Sequence, residues 1–140
     1  MTFLPDVNVW LALASERHVH TRICSTWLDS VESAEIAFCR VTQMGLLRLL
    51  THESVMKGDV LSSRQAWRTY LTMMADERIQ FAQEPFALER EWRKLTALDH
   101  PAPKVWTDAY LASFARAGEM QLVTLDRGML AIAPQALLLK

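Results

Sequence analysis

The stretch Phe3-Leu4-Pro5-Asp6-Val7-Asn8-Val9-Trp10-Leu11-Ala12-Leu13 changes character at one residue, Asp6. Phe3 to Pro5 is a short apolar run of strand type. After it, Val9, Trp10 and Leu13 stand at i+3, i+4 and i+7 from Asp6, the helical positions that share its face. A strand therefore passes through an aspartate directly into a helix expected over Val7–Ser15, and the aspartate shares the face that turns to the core. A lone carboxylate there is costly unless it is hydrogen-bonded, protonated or paired with a cation.

The same offsets recur. Asp108 is followed by Leu111, Ala112 and Ala115, and Asp126 by Met129, Leu130 and Ala133. Gln43 precedes Leu46, Leu47 and Leu50 in the same way. Helix starts favour aspartate for a purely local reason, because its side chain caps free N–H groups and meets the positive end of the macrodipole. Asp126, within Leu125-Asp126-Arg127-Gly128, also fits a simple turn. Capping does not require several such residues to meet. Convergence of several carboxylates would indicate a divalent cation, since Mg2+ and Mn2+ take hard oxygen ligands and keep several waters.

Working outward, helices are expected over His18–Val31, Val41–Leu50, Ser63–Ala75, Phe86–Leu98 and Lys104–Ala117. The Ser63–Ala75 helix carries Trp67, Tyr70, Leu71 and Met74 as its apolar stripe. Short strands fall at Glu35–Cys39, Ile79–Ala82, Gln121–Leu125 and Ala136–Leu139. Ser54–Ser62 and Asp99–Pro103 are connections, the latter because each proline biases its predecessor away from helix. Short apolar strands alternating with helices predict an α/β fold with a largely parallel sheet covered on both faces. In such sheets ligands sit beyond the carboxyl ends of the strands, where Asp6 and Asp126 both fall.

The chain has 140 residues, 51% hydrophobic and 22% charged, which suits one domain with a real core. No apolar run approaches the roughly 18 residues needed to span a bilayer. The opening residues lack the pattern of a signal peptide. The expected location is the cytoplasm, with no membrane partner. The formal net charge is −1, yet Cys39 to Arg68 holds five basic residues against two acidic ones. Arg40, Arg48 and Arg64 are the candidate phosphate contacts in that segment. Cys24 and Cys39 are too few for a disulfide scaffold. His20 and Cys24, four apart with His18 nearby, form a weak zinc motif that lacks a second ligand cluster. Absence of GxxxxGK[ST] and GxSxG excludes a P-loop NTPase and the usual serine hydrolase.

Four runs taken together carry a resemblance: Leu4 to Leu13, Cys39-Arg40-Val41-Thr42-Gln43-Met44-Gly45-Leu46-Leu47-Arg48-Leu49-Leu50-Thr51, Thr107-Asp108-Ala109-Tyr110-Leu111-Ala112, and Thr124-Leu125-Asp126. In order and spacing they resemble the PIN domain of VapC-type toxins over nearly the whole chain. The resemblance implies a single domain over residues 1–140 with a three-layer α/β/α sandwich and a short, mainly parallel sheet. It implies an endoribonuclease dependent on Mg2+ or Mn2+, acting on RNA. A cognate VapB-type antitoxin whose C-terminal segment covers the active groove, and a homodimer, are further implications. By position, Asp6 and Asp108 correspond to the main metal ligands and Asp126 to the further acidic residue, with Thr124 supporting it. Asn8 is a candidate for orienting a carboxylate. Gln43 departs from the pattern, because many PIN domains have glutamate near the start of that helix. A neutral amide weakens attraction for a second ion, which keeps in play a catalytically weakened RNA- or antitoxin-binding module. A haloacid-dehalogenase-type phosphotransferase would need aspartate where Asn8 stands.

Overall fold

Strands covered on both faces must be apolar where they are covered, and those of this chain keep their polar residues mainly at the ends, as with Glu35, Gln121 and Thr124. The computed structural model describes residues 1–140. Its strands are β1 (Thr2–Pro5), β2 (Glu35–Phe38), β3 (Ile79–Phe81), β4 (Gln121–Thr124) and β5 (Leu137–Leu138). They lie in the order β3-β2-β1-β4-β5, and every pairing is parallel. The helices are α1 (Val7–Ala14), α2 (Thr21–Ser30), α3 (Arg40–Leu50), α4 (Glu53–Met56), α5 (Ser63–Met74), α6 (Leu88–Leu95) and α7 (Val105–Ala117). No helix is long and apolar enough to cross a membrane.

Strand periodicity distributes side chains to two cores. Ile36 and Phe38 of β2 enter one core with Trp10, Leu46, Leu50, Ala66 and Tyr70. Ala37, with Leu4 of β1 and Leu122 of β4, enters the other with Leu88, Leu111 and Phe114. Helices α1, α3 and α5 thus cover one face, with Trp27 and Leu28 of α2 packed against them, and α6 and α7 cover the other. The three-layer α/β/α sandwich expected from the sequence is the architecture observed, with a sheet that is parallel throughout. The close approach of α1 and α3 depends on Gly45, where a Cβ would lie 2.7 Å from Val7 Cγ2.

Several element boundaries differ from expectation. α2 begins at Thr21 rather than His18, and the His20 N–H donates to His18 Nδ1 at 3.0 Å in the turn before it. The Ser54–Ser62 connection contains most of α4 and a 3-10 turn at Lys57–Asp59. On α5 the buried positions are Ala66 and Tyr70, while Trp67 and Leu71 are 48% and 62% exposed. The expected stripe is rotated because small Ala66, rather than bulky Trp67, enters the core beside α3.

One clamp escapes sequence reading altogether. The Arg78 guanidinium donates to the carbonyls of Leu28 at 2.7 Å and Val31 at 2.5 Å, and pairs with Asp76 at 2.7 Å. It ties the end of α2 to the start of β3. Arg78→Ala strips two carbonyls of a charged donor, with an expected cost of about 2–4 kcal/mol, read as a lowered urea midpoint. Hydrogen bonds from Arg78 hold the Asp76 carboxyl below its usual range. The pair's contribution is therefore present at neutral pH and fades as pH falls below about 4. A variant with an unchanged midpoint at pH 7 would show the clamp to be idle.

Candidate metal centre at the carboxyl edge of the sheet

Asp6 leaves the end of β1 and caps α1, its Oδ1 accepting the Val9 N–H at 3.2 Å. Its Oδ2 accepts from the Thr124 hydroxyl at 2.5 Å. The side chain is only 6% exposed. Thr124 ends β4, the strand beside β1, and the Asp6 N–H donates to Val123 O at 2.9 Å. Thr124 Oγ1 in turn accepts the Asp126 N–H at 3.0 Å, and Asp126 Oδ1 accepts the Gly128 N–H at 2.8 Å. Parallel pairing of β1 with β4 thus brings Asp6 and Asp126 to one edge through a shared threonine.

Asp108 reaches this edge from the opposite layer. α7 starts at Val105, so Asp108 stands in its first turn, half-buried, and does not cap it. Burial pushes the Asp6 carboxyl above its usual value against the opposing hydrogen bonds from Thr124 and Val9, and the charges of Asp108 and Asp126 push it further. Burial also raises Asp108, with the Asp126 charge adding to it. None of the four ion pairs of the chain involves these carboxylates. Electrostatics therefore favours a cation among them. No group of three or more His, Cys, Asp or Glu side chains is positioned to hold a metal ion by itself, so an ion here would rest on fewer protein oxygens and keep its waters. An all-oxygen set of two or three partly separated carboxylates suits Mg2+ or Mn2+, which retain waters, better than an ion needing a full protein cage.

The remaining candidates divide. Thr124 bonds directly to the side chain of Asp6, and touches Asp126 only through its backbone. Asn8 is exposed and bonds to neither carboxylate. Gln43 is 7% exposed, and its Oε1 accepts from Arg40 Nη1 at 2.6 Å, with the Tyr70 hydroxyl also beside it. Arg40 opens α3 at this edge, its guanidinium 4.6 Å from the centre of the Phe81 ring. Arg48 lies eight residues further along α3, about 12 Å down its axis. Arg64 neighbours Gln65, which lines a cavity at the ends of α1 and α3 with Ala14 and Leu50. Of the three arginines, the fold brings Arg40 to the carboxylate edge and leaves Arg48 and Arg64 towards the other end of α3.

The zinc motif does not form. Cys24 is fully buried among Val9, Ala12 and Val123, and burial together with nearby Asp6 pushes its thiol up to about 11. What the sequence reading missed is the loop His18-Val19-His20, which lines a cavity of about 330 Å3 with Asn8, Leu125 and Asp126. On the other flank, Arg40, Phe81, Glu84 and Tyr110 line one of about 180 Å3, where the Tyr110 hydroxyl donates to Glu84 at 2.8 Å. Larger cavities of about 440 and 520 Å3 open near Ser15, Arg17 and Asp59 without a set of convergent carboxylates. The only signal for the histidine loop was the pairing of His18 with His20, which a helical reading absorbed.

Residues 3–134 match the family model described as PIN domain. The chain is 48% identical over 128 residues to Ribonuclease VapC41 of Mycobacterium tuberculosis, an alignment covering 88% of each protein. Among solved structures it is similar to VapC20 of Mycobacterium tuberculosis, described as a toxin cleaving the sarcin-ricin loop. The TM-score is 0.67 at 15% identity, over 92% of this chain and 93% of that one. It is also similar to a chain of VapBC2 from Rickettsia felis, solved bound to a DNA fragment from its promoter. There the TM-score is 0.66 at 16% identity, over 99% and 97% of the two chains.

Proposed function

Since the chain belongs to the PIN-domain family, we propose that it is a VapC-type ribonuclease toxin that hydrolyses RNA phosphodiesters with the help of Mg2+, Mn2+ being the alternative ion. The observation that carries this reading is Asp6: a buried carboxylate held by the Val9 N–H and the Thr124 hydroxyl, and repelled by Asp108 and Asp126. Asp6, Asp108 and Asp126 would hold the ion. When bound, it lowers the pKa of a coordinated water and stabilises the charge that develops on the attacked phosphodiester.

The chain's own groups do the positioning. Thr124 and Val9 restrict Asp6 to one orientation, so little reorganisation is needed when a cation or phosphate arrives. α7 delivers Asp108 from the opposite layer, half-buried and screened from bulk water. Arg40, held by the Phe81 ring and the Gln43 amide, would meet a phosphate of the strand. Gln43 offers an amide already engaged by Arg40, which favours one ion over two. Kinship with VapC41 and similarity to a VapBC complex support a VapB-type antitoxin as partner. A homodimer and a cytoplasmic site of action complete the proposal.

Incubating the purified protein with total RNA and Mg2+ tests it. Cleavage is expected, is expected to stop on chelation, and is expected to be lost in Asp108→Asn while the circular dichroism spectrum is retained. An Asp108→Asn protein that cuts at the wild-type rate overturns the assignment. Gln43 favours a second reading, a weakened RNA- or antitoxin-binding module. That reading is selected if the wild type binds RNA yet leaves it intact with both Mg2+ and Mn2+.

A further inference from the structure

We infer that the cavity between the His18–His20 loop and Asp126 is a subsite for one nucleobase of the RNA strand, with His20 as its stacking surface and Asn8 reading the base edge. It rests on the ribonuclease reading and deepens it. The cavity, about 330 Å3, has Asp126 in its wall. Whatever fills it therefore lies next to the carboxylate centre, where a neighbour of the cut phosphate must lie. Its volume stands at the lower end for small-molecule pockets and fits one base better than a larger group.

The chemistry of the walls matches single-stranded RNA. Unpaired bases are recognised by stacking on flat side chains, histidine included, and by hydrogen bonds to their edges. The His18 and His20 rings lie 5.7 Å apart and are tilted by 45°, so they do not stack on each other. His18 Nδ1 accepts the His20 N–H, which fixes the loop and places the proton of a neutral His18 ring on Nε2. Burial, with His20 nearby, keeps His18 below its usual pKa, so that ring stays neutral at neutral pH. Asn8 presents an exposed amide, a donor beside an acceptor. Val19, at the mouth, is 84% exposed, an uncovered apolar group.

The test compares wild type, His20→Ala and His20→Phe on a pool of oligoribonucleotides, mapping the cut sites and measuring kcat and KM. His20→Ala is expected to raise KM about tenfold, with kcat within about twofold, the scale of one lost base stack. It should also flatten the base preference at one position beside the cut. His20→Phe, which keeps a flat ring, is expected to restore KM. An unchanged KM and preference, a fall in kcat alone, or equal losses in the Ala and Phe variants would overturn the subsite. Binding of labelled oligoribonucleotides to Asp108→Asn, with and without His20→Ala, separates the two claims. If wild type cuts nothing but His20→Ala still weakens binding about tenfold, the subsite stands and the hydrolysis reading falls. If wild type cuts and His20→Ala changes neither binding nor preference, the hydrolysis reading stands and the subsite falls.

Discussion

Asp6→Asn is expected to lower metal-dependent RNA cleavage about a thousandfold or more, and at the same time to raise the melting temperature measured in chelator. The two effects share one cause. Asp6 is buried, and burial above all raises its carboxyl, with the charges of Asp108 and Asp126 adding to the effect. A carboxyl whose folded pKa exceeds its unfolded value binds protons more tightly in the native state. Stability then declines as pH rises from about 4 through the raised value, and stays lower above it. Asparagine keeps an oxygen for the Val9 N–H and an amide for Thr124 Oγ1, but carries no charge to be desolvated or repelled. Its melting temperature should lose that pH slope. Adding Mg2+ should raise the wild-type melting temperature at pH 7, much less at pH 4, and least in Asp6→Asn. Thermal melts across pH 4 to 8, with and without Mg2+, measure all three. A variant that melts lower than wild type in chelator at pH 7 would show that the carboxylate stabilises the fold, contrary to this account.

For stability the largest effect is expected at Trp10. This residue is fully buried, and its ring lies 3.7 Å from that of Phe38 at an interplanar angle of 11°. It joins α1 to β2 directly beneath the edge where Asp6 stands. Trp10→Ala removes the ring and leaves a cavity between two elements that cannot close up, costing about 3–5 kcal/mol. That is a large part of the 5–15 kcal/mol typical of a domain. The Trp10 indole N–H has no hydrogen-bond partner in the protein. Trp10→Phe removes that buried donor along with some volume, and is expected to cost about 1.5 kcal/mol or less. Urea unfolding of both variants checks the contrast. A loss below about 1 kcal/mol for Trp10→Ala would show that the stack does not hold α1 in place.

The stripes that follow Asp6, Gln43, Asp108 and Asp126 were legible because helical periodicity is a local property. Val9 and Trp10, Leu46 and Leu50, Leu111 and Ala115, and Met129 are all buried. The alternation of strands with helices was legible for the same reason, and it implied parallel pairing and a site beyond the strand ends. On α5 the same reasoning misjudged the buried face. Ala66 and Trp67 are neighbours in sequence, and the choice between them depended on how closely another helix approaches. His18 and His20 were absorbed into a helix because a side chain taking a backbone N–H leaves no periodic trace.

Local patterning was thus enough to specify the main strands and helices, their order and the inward-turned carboxylate of Asp6. Asp108, by contrast, is half-buried, and Asp126, held in its own turn by the Gly128 N–H, is exposed. Local patterning could not say which of these residues would touch. Thr124 bonds to the Asp6 carboxylate across 118 positions of chain, and Asp108 approaches from the layer opposite α1. Those meetings follow from strand order, since β1 pairs with β4 as well as β2. Strand order is set by how whole elements cover one another's apolar faces, a balance spread over the entire core and written in no single segment.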